Sequence, residues 1–592
     1  MSRDRRAGRR LRFVAAALSG TGALLGVGTL AAWAVDPPAH PGGPGPARIV
    51  EPRPPVDAAM FAFEARGAAP RDGDGRIPNP ATPTGRAPGA PTTCNATFVA
   101  GPRVTSASVN AAIVRVENKI SAPYGVCLRG TFTAPIHVWR KYTAALLTIA
   151  AAPHSRAELA LGEVRPGDAD PNEFTGTAGA VSVVDSRGVE ISGLTIENYT
   201  TRGTALTPAG IYVTVQGGGE QGRKSVCFVK GDHVCGDIYL IGDTVSAISN
   251  AADEDGTSKP WCNSANVDAF GIAVESFGSG PGDALQHVVI EDDTVDHTRT
   301  GQSETVTVNG DVEDFLVAHN LVYDTDNIGI DAIGWESGTD QARHGYIGDN
   351  TVANVDTWGN HAYGQWAGSA CRPLAEDAAG IYDDGASYLW IDHNVVDNSN
   401  QGIDLDVETD GRFTDHLLVT SNTVVDNPGT SLADPSQGTN PKPVPGPSDD
   451  AGHAFEAFYV DAFGSRSWIE DVYAHDNVFE NQSQYYGAAS RQPAPVVEVA
   501  GIWRDVLLWN NTIIGGGARD ALNLLLEIDA APATHSAGVI DCSDYRLLSK
   551  GDNFAQPNGT TYSRLSAWKA HNSGKWDRHS AVGKPGCPPS AR

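Results

Sequence analysis

The chain is poor in methionine, 2 among 592 residues, while glycine reaches 66. That balance fits a turn-rich β protein better than a helical one. Basic charge is also short: 43 Lys and Arg against 71 Asp and Glu leave a formal net charge of −28. Nucleic acid and anionic membrane surfaces both require a basic face, so neither is expected as a partner. A neutral ligand, or an acidic one bridged by a divalent cation, remains compatible. Lysine is missing altogether from 261 to 440, which removes it as a general base within that stretch. There is no CxxC and no Cys/His cluster with zinc spacing, so the eight cysteines read as staples in an oxidising compartment. Cys94 with Cys127, Cys227 with Cys235, and Cys542 with Cys587 are the candidate pairs.

The one long apolar run is N-terminal. Arg3, Arg5, Arg6, Arg9, Arg10 and Arg12 precede it, and Ala32-Trp33-Ala34 offers a small-x-small cleavage site. Residues 1–35 are therefore expected to be a signal peptide or a retained membrane anchor, and any membrane contact is confined to them. Residues 36–92 carry Pro-Pro, Pro-Gly and Ala-Pro steps without periodicity, as a disordered spacer would. The body is then 93–592, secreted or held on the outer face of the cytoplasmic membrane, and expected to be a monomer.

An apolar-x-x-Asn-x-apolar motif recurs through the body. It reads Val317-Ala-His-Asn320-Leu-Val322, Ile347-Gly-Asp-Asn350-Thr-Val352 and Ile391-Asp-His-Asn394-Val-Val396, and returns around Asn422, Asn477 and Asn511. Asp243 and Asp293 hold the same place in earlier copies. β-branched alternation of this length is strand, and an Asn or Asp at one fixed point suits a left-handed turn with side chains stacked coil on coil. A second element follows each motif, as in Gly329-Ile-Asp-Ala-Ile333, Gly380-Ile-Tyr-Asp-Asp-Gly385 and Gly402-Ile-Asp-Leu-Asp406. Two strands per repeat in fixed order predict an all-β solenoid, a single-stranded right-handed parallel β-helix, over a β-sandwich with chance Asn turns. Residues 109–120 have helical apolar spacing and are expected to cap its N-terminal end.

In order along the chain, that helix, Val126-Cys-Leu-Arg-Gly-Thr-Phe132, Leu147-Thr-Ile149 and Val189-Glu-Ile-Ser-Gly-Leu-Thr-Ile196 resemble the pectate-lyase-like right-handed β-helix superfamily. The runs 304–310, 326–331, 359–364 and 380–385, with the tail 558–568, are similar to secreted bacterial β-helix proteins related to polysaccharide lyases. The resemblance implies a polysaccharide ligand, calcium held by aspartates, and a Lys or Arg base. It also places Glu304 and Glu408 at acid-bearing positions. Where that group carries an aspartate before the strand's glycine, this chain has Ala379.

Strand period turns every second residue of the Gly-led element outward: Thr307 and Asn309, Asp331 and Ile333, Tyr382 and Asp384, Asp404 and Asp406, Tyr459 and Asp461. Carboxylates stacked at a coil spacing of ~4.8 Å repel unless a cation or proton is shared, and Ca²⁺ with ~2.3–2.6 Å bonds fits between them. Asp384, Asp404 and Asp406 are the expected calcium ligands. A solvated acidic face is the competing reading. Asp383 breaks the pattern by pointing at the core, unless a bulge turns it outward. The insertion 355–377 supplies Trp358, His361, Tyr363, Trp366 and Arg372, suited either to stacking on sugars or to packing on one another. Catalysis is assigned to Asp331, Asp384, Asp404, His361 and Arg343, and substrate binding to Tyr363, Trp366, Tyr382 and Arg372. The expected activity is a calcium-assisted uronide lyase. Glycoside hydrolysis by paired carboxylates, which needs no such base, and carbohydrate binding without catalysis are the alternatives.

Overall fold

A computed structural model describes residues 93–583 and Cys587, apart from 165–175, 202–205, 216–226, 230–231, 234, 251–267, 277–283, 337–339, 356, 358–359, 361–363, 368–369, 374–377, 426–455, 463–465, 482–494, 516–523, 529–538, 548–552, 558–559, 561 and 572–576. The expected leader and spacer lie outside the described residues. Among those described, no helix is long and apolar enough to cross a membrane.

Successive coils stack through three parallel ladders. One coil runs Arg343–Gly348, Thr351–Val355 and Ala379–Asp384, and the next runs Ser387–Asp392, Val395–Ser399 and Gln401–Asp406. Each strand pairs in parallel with its equivalent one coil on. We call these the first, second and third sheets. Parallel strands joined by crossovers of one hand form the right-handed parallel β-helix. The sequence suggested two strands per coil; the structure has three. The Asn motif straddles a turn, so its leading apolar residues end a strand of the first sheet and its trailing ones begin a strand of the second.

The core is the stacked inward column of each sheet. In the third sheet Ile272, Val306, Ile330, Ile381, Ile403 and Phe458 follow one another in register, all buried. Four of these strands are led by a glycine, Gly271, Gly329, Gly380 and Gly402, which close approach requires. A Cβ on Gly380 would sit 2.4 Å from Val396 Cγ1, and one on Gly402 would sit 2.3 Å from Ala457 O.

At the turn, the amides form a continuous buried ladder. Asn320, Asn350, Asn394, Asn422 and Asn477 each donate Nδ2 to Oδ1 of the next member at 3.0 Å, ending on Asn511. The same Oδ1 atoms accept the preceding backbone N–H at 2.9–3.0 Å. Asn350 and Asn394 therefore lie on adjacent coils, as the motif predicts. The left-handed residue, however, is the one before the Asn: His319, Asp349 and His393 have φ of 58°, 56° and 55°.

The capping helix runs Ser106–Val116, a few residues earlier than expected, and buries Val109 and Ile113. Asn110 fixes it to the first coil, donating Nδ2 to Pro135 O and accepting from His137 N, both at 3.1 Å. All three anticipated cysteine pairs form disulfides, with Cα–Cα distances of 5.5, 5.0 and 4.9 Å in chain order.

Candidate functional site

The outer face of the third sheet carries the acids in two columns. Register stacks Thr307, Asp331, Tyr382, Asp404, Tyr459 and Glu498 in one. The other pairs Asn309 with Ile333, and Asp384 with Asp406. Asp404 thus has tyrosines above and below it, and the rung partner of Asp384 is Asp406. The three residues expected to hold calcium span both columns.

Pointing away from the core does not make these side chains wet. Asp331 is 2% exposed, Asp404 5% and Asp406 0%. Burial disfavours the charged form, and neighbouring carboxylates add to the effect. Asp331 is pushed well above the usual carboxylate range by burial, then by Glu304 and Asp384. Asp406 is pushed up by burial, then by Asp404 and Asp461. Glu408 is pushed up by burial and by Asp384, against a hydrogen bond from Tyr382. Such a cluster must hold protons or a cation at neutral pH. This excludes the reading of a solvated acidic face.

Hydrogen bonds fix the cluster. Tyr382 Oη donates toward Glu408 Oε1 at 3.1 Å and lies 3.4 Å from Asp406 Oδ2. The Glu408 backbone N–H donates to Asp384 Oδ1 at 3.0 Å, and the Val407 N–H to Asp406 Oδ1. Tyr459 donates to Asp461 at 2.9 Å. Asp331 Oδ1 is buried with no hydrogen-bond partner. Hard oxygen donors are of the kind that suits Ca²⁺, but among the described residues Asp384, Asp404 and Asp406 do not bring three ligand atoms within 4.8 Å of one another. Asp384 and Glu408, half-buried, form the accessible lip of the cluster.

Several assigned residues fall elsewhere. Arg343 lies on the first sheet, where it pairs with Asp311 at 2.7 Å and Glu313 at 3.2 Å. With His344 first and Arg343 after it, the two hold the Glu313 carboxyl down to about 2. An arginine engaged this way on another sheet is not the base of the acidic strip. Asp383 stays in the core: its oxygens accept from Ala386 N at 2.7 Å and Thr414 Oγ1 at 2.8 Å, so no bulge releases it. His361 and Tyr363 lie outside the described residues. Trp366 and Arg372 lie on Gly364–Ala367 and Ala370–Pro373, an antiparallel hairpin inserted before the strand bearing Tyr382 and Asp384.

Glu408 belongs with the assigned acids. The resemblance had placed it at an acid-bearing position, and it lies two residues past the end of the strand Gln401–Asp406.

No protein-family model matches the chain. It is 32% identical over 254 residues to YwoF, an uncharacterized protein of Bacillus subtilis (strain 168). That match spans 43% of this chain and 45% of YwoF, less than half of the relative's length. Among solved structures, a GH136 lacto-N-biosidase from Eubacterium ramulus aligns with 78% of this chain and 67% of its own, at 10% identity and a TM-score of 0.38. An exopolygalacturonase from Thermotoga maritima aligns with 86% of this chain and 98% of its own, at 11% identity and a TM-score of 0.32. The chain's own three parallel ladders give it the architecture of a right-handed parallel β-helix.

Proposed function

We propose that the chain is an extracytoplasmic polysaccharide-active protein, working as a monomer, whose acidic strip hydrolyses a glycosidic bond by paired-carboxylate chemistry. The observation that carries this reading is the pairing of Glu408, pushed toward its protonated form, with Asp384 beside it at the accessible lip. Glycoside hydrolysis requires two carboxyl groups, one of them holding its proton as the acid. Glu408 would give its proton to the leaving oxygen while Asp384 stabilises the developing positive charge or activates water. Tyr382 positions Glu408 through its hydroxyl, with Asp406 close behind. The extracytoplasmic placement is supported by the three disulfides and the arginine-led apolar segment.

Calcium at Asp384, Asp404 and Asp406 is the second reading, favoured by the same need for neutralising charge. When bound, the ion would offset a uronide carboxylate and draw the mechanism toward β-elimination. That route needs a base other than Arg343. A polysaccharide panel assayed with and without chelator separates the two. Hydrolysis gives new reducing ends without ultraviolet absorbance, indifferent to chelator. Glu408→Gln should then lower kcat by about 10²–10⁴ with little change in KM. An unsaturated, chelator-sensitive product overturns hydrolysis in favour of the lyase. Full activity in both Glu408→Gln and Asp384→Asn moves the chemistry off the strip.

A further inference from the structure

The first sheet carries, on its outer face, a column of left-handed residues, one per coil. Asp237, His287, Asp314, His344, Tyr388 and His416 all have φ between 54° and 57°. The strand registers skip these positions. Gln286 pairs with Glu313 and Val288 with Phe315, leaving His287 and Asp314 opposite each other between the paired residues. A left-handed backbone favours Gly, Asn, Asp and His. The equivalent column of the second sheet holds Asn198, Ala247, His297, Asp324, Asn354 and Asn398, and the last two bond to each other at 2.9 Å. The first-sheet column differs in what its side chains meet.

What these left-handed positions bring together is a mixed donor set. His344 Nδ1 lies 3.3 Å from Glu313 Oε1 and 3.9 Å from Asp314 Oδ1. His287 Nε2 lies 3.5 Å from Asp314 Oδ2. One ligand atom from each of Glu313, Asp314 and His344 falls within 4.8 Å of the other two. Bonds of about 2.0–2.2 Å in a tetrahedral site set ligand atoms roughly 3.3–3.5 Å apart, close to the spacing here. The outer contacts also suit a metal. Arg343 and Gln286 occupy Glu313 Oε2, at 3.2 and 3.3 Å, and leave Oε1 facing the imidazole. His287 Nδ1 lies 3.7 Å from Asp237 Oδ1, placing a further carboxylate beside the column.

We propose that Glu313, Asp314 and His344 form a binding site for a divalent transition metal of the zinc class, with His287 against the other oxygen of Asp314. Imidazole and carboxylate donors together select such an ion over calcium. The site is on a different sheet from the acidic strip. Its ligands come from two successive coils, so the ion would act as a clasp along the solenoid.

The full chain, stripped with chelator, is titrated with Zn²⁺ alone by calorimetry and followed by thermal melting. Binding of one ion at this site with a rise in Tm is expected. His287→Ala/His344→Ala should weaken it by more than about a hundredfold. His393→Ala, outside this column, should leave it unchanged. Glu313→Gln, which keeps both histidines and the strand register, should weaken it as well. The visible spectrum of the Co²⁺-substituted protein gives an independent readout and should collapse in the same variants. The proposal is overturned by a parent that binds no Zn²⁺ at high micromolar concentration. It is equally overturned if the double histidine variant and Glu313→Gln bind with parental affinity, or if His393→Ala loses as much.

Discussion

Asp243 and Asp293 stand in the amide ladder at places that later coils give to asparagine. Their Oδ1 atoms do the ladder's accepting, from Leu194 N at 2.7 Å and Asp243 N at 2.6 Å. Each Oδ2, where an asparagine would carry its donor, is buried without a hydrogen-bond partner. Burial pushes the Asp243 carboxyl up to about 8, and burial with Asp243 beside it pushes Asp293 well above its usual range. A retained proton makes each a substitute for asparagine. Because the folded value is raised, this contribution is complete below the unfolded value near pH 4 and is lost as pH climbs through about 8. Asp243→Asn/Asp293→Asn should therefore stabilise the protein at pH 8 and change little at pH 4. The gap should open by about 1.4 kcal/mol per pH unit for each proton held. Denaturant unfolding at the two pH values measures it, and equal gaps at both would refute the protonated ladder. The Asn/Asp equivalence was legible in the sequence. The protonation was not, because it follows from burial.

At the scale of the strand and turn, the repeat revealed the fold because its determinants are local. Asn394 illustrates this: it accepts from Asn350 N and Nδ2 and donates to Ile347 O and Asn422 Oδ1, all at 2.9–3.0 Å. Asn394→Ala strands buried partners on both neighbouring coils. The expected loss is about 2–4 kcal/mol, several times that of an exposed asparagine, because each orphaned group costs about 1–3 kcal/mol. A loss below 1 kcal/mol in equilibrium unfolding would show the ladder to be decoration. Inside and outside were equally legible, since period 2 placed Ile330, Ile403 and Phe458 inward correctly. Wet and dry were not legible. Alternation says which way Asp404 and Asp406 point, but burial there depends on what packs over the sheet, and no local pattern encodes that. The same limit displaced Arg343, which is close to Asp331 in sequence but a full sheet away around the coil.

For the molecule as a whole, the hazard of a solenoid is its two open ends, where core and strand edges meet solvent. The N-terminal end has the Ser106–Val116 helix and Cys94–Cys127. The C-terminal end is closed by Leu565–His571, whose Trp568 is buried and donates Nε1 to Asp577 at 2.6 Å. Tyr545 donates to the other oxygen of Asp577 at 2.8 Å, linking that helix to the final strands. Cys542–Cys587 then ties the tail to the last turn across 45 residues. A loop of that length loses chain entropy worth about 4 kcal/mol in the unfolded state when crosslinked, an upper figure for its stabilisation. Each coil contacts only its neighbours, so the effect should be local. Cys542→Ser/Cys587→Ser is expected to lower protection from hydrogen exchange around Thr512–Gly515 and Asp544–Leu547 while leaving Thr351–Val355 as protected as before. Uniform loss of protection along the chain would mean that the coils unfold as one unit and that the bond guards the whole helix, not its end.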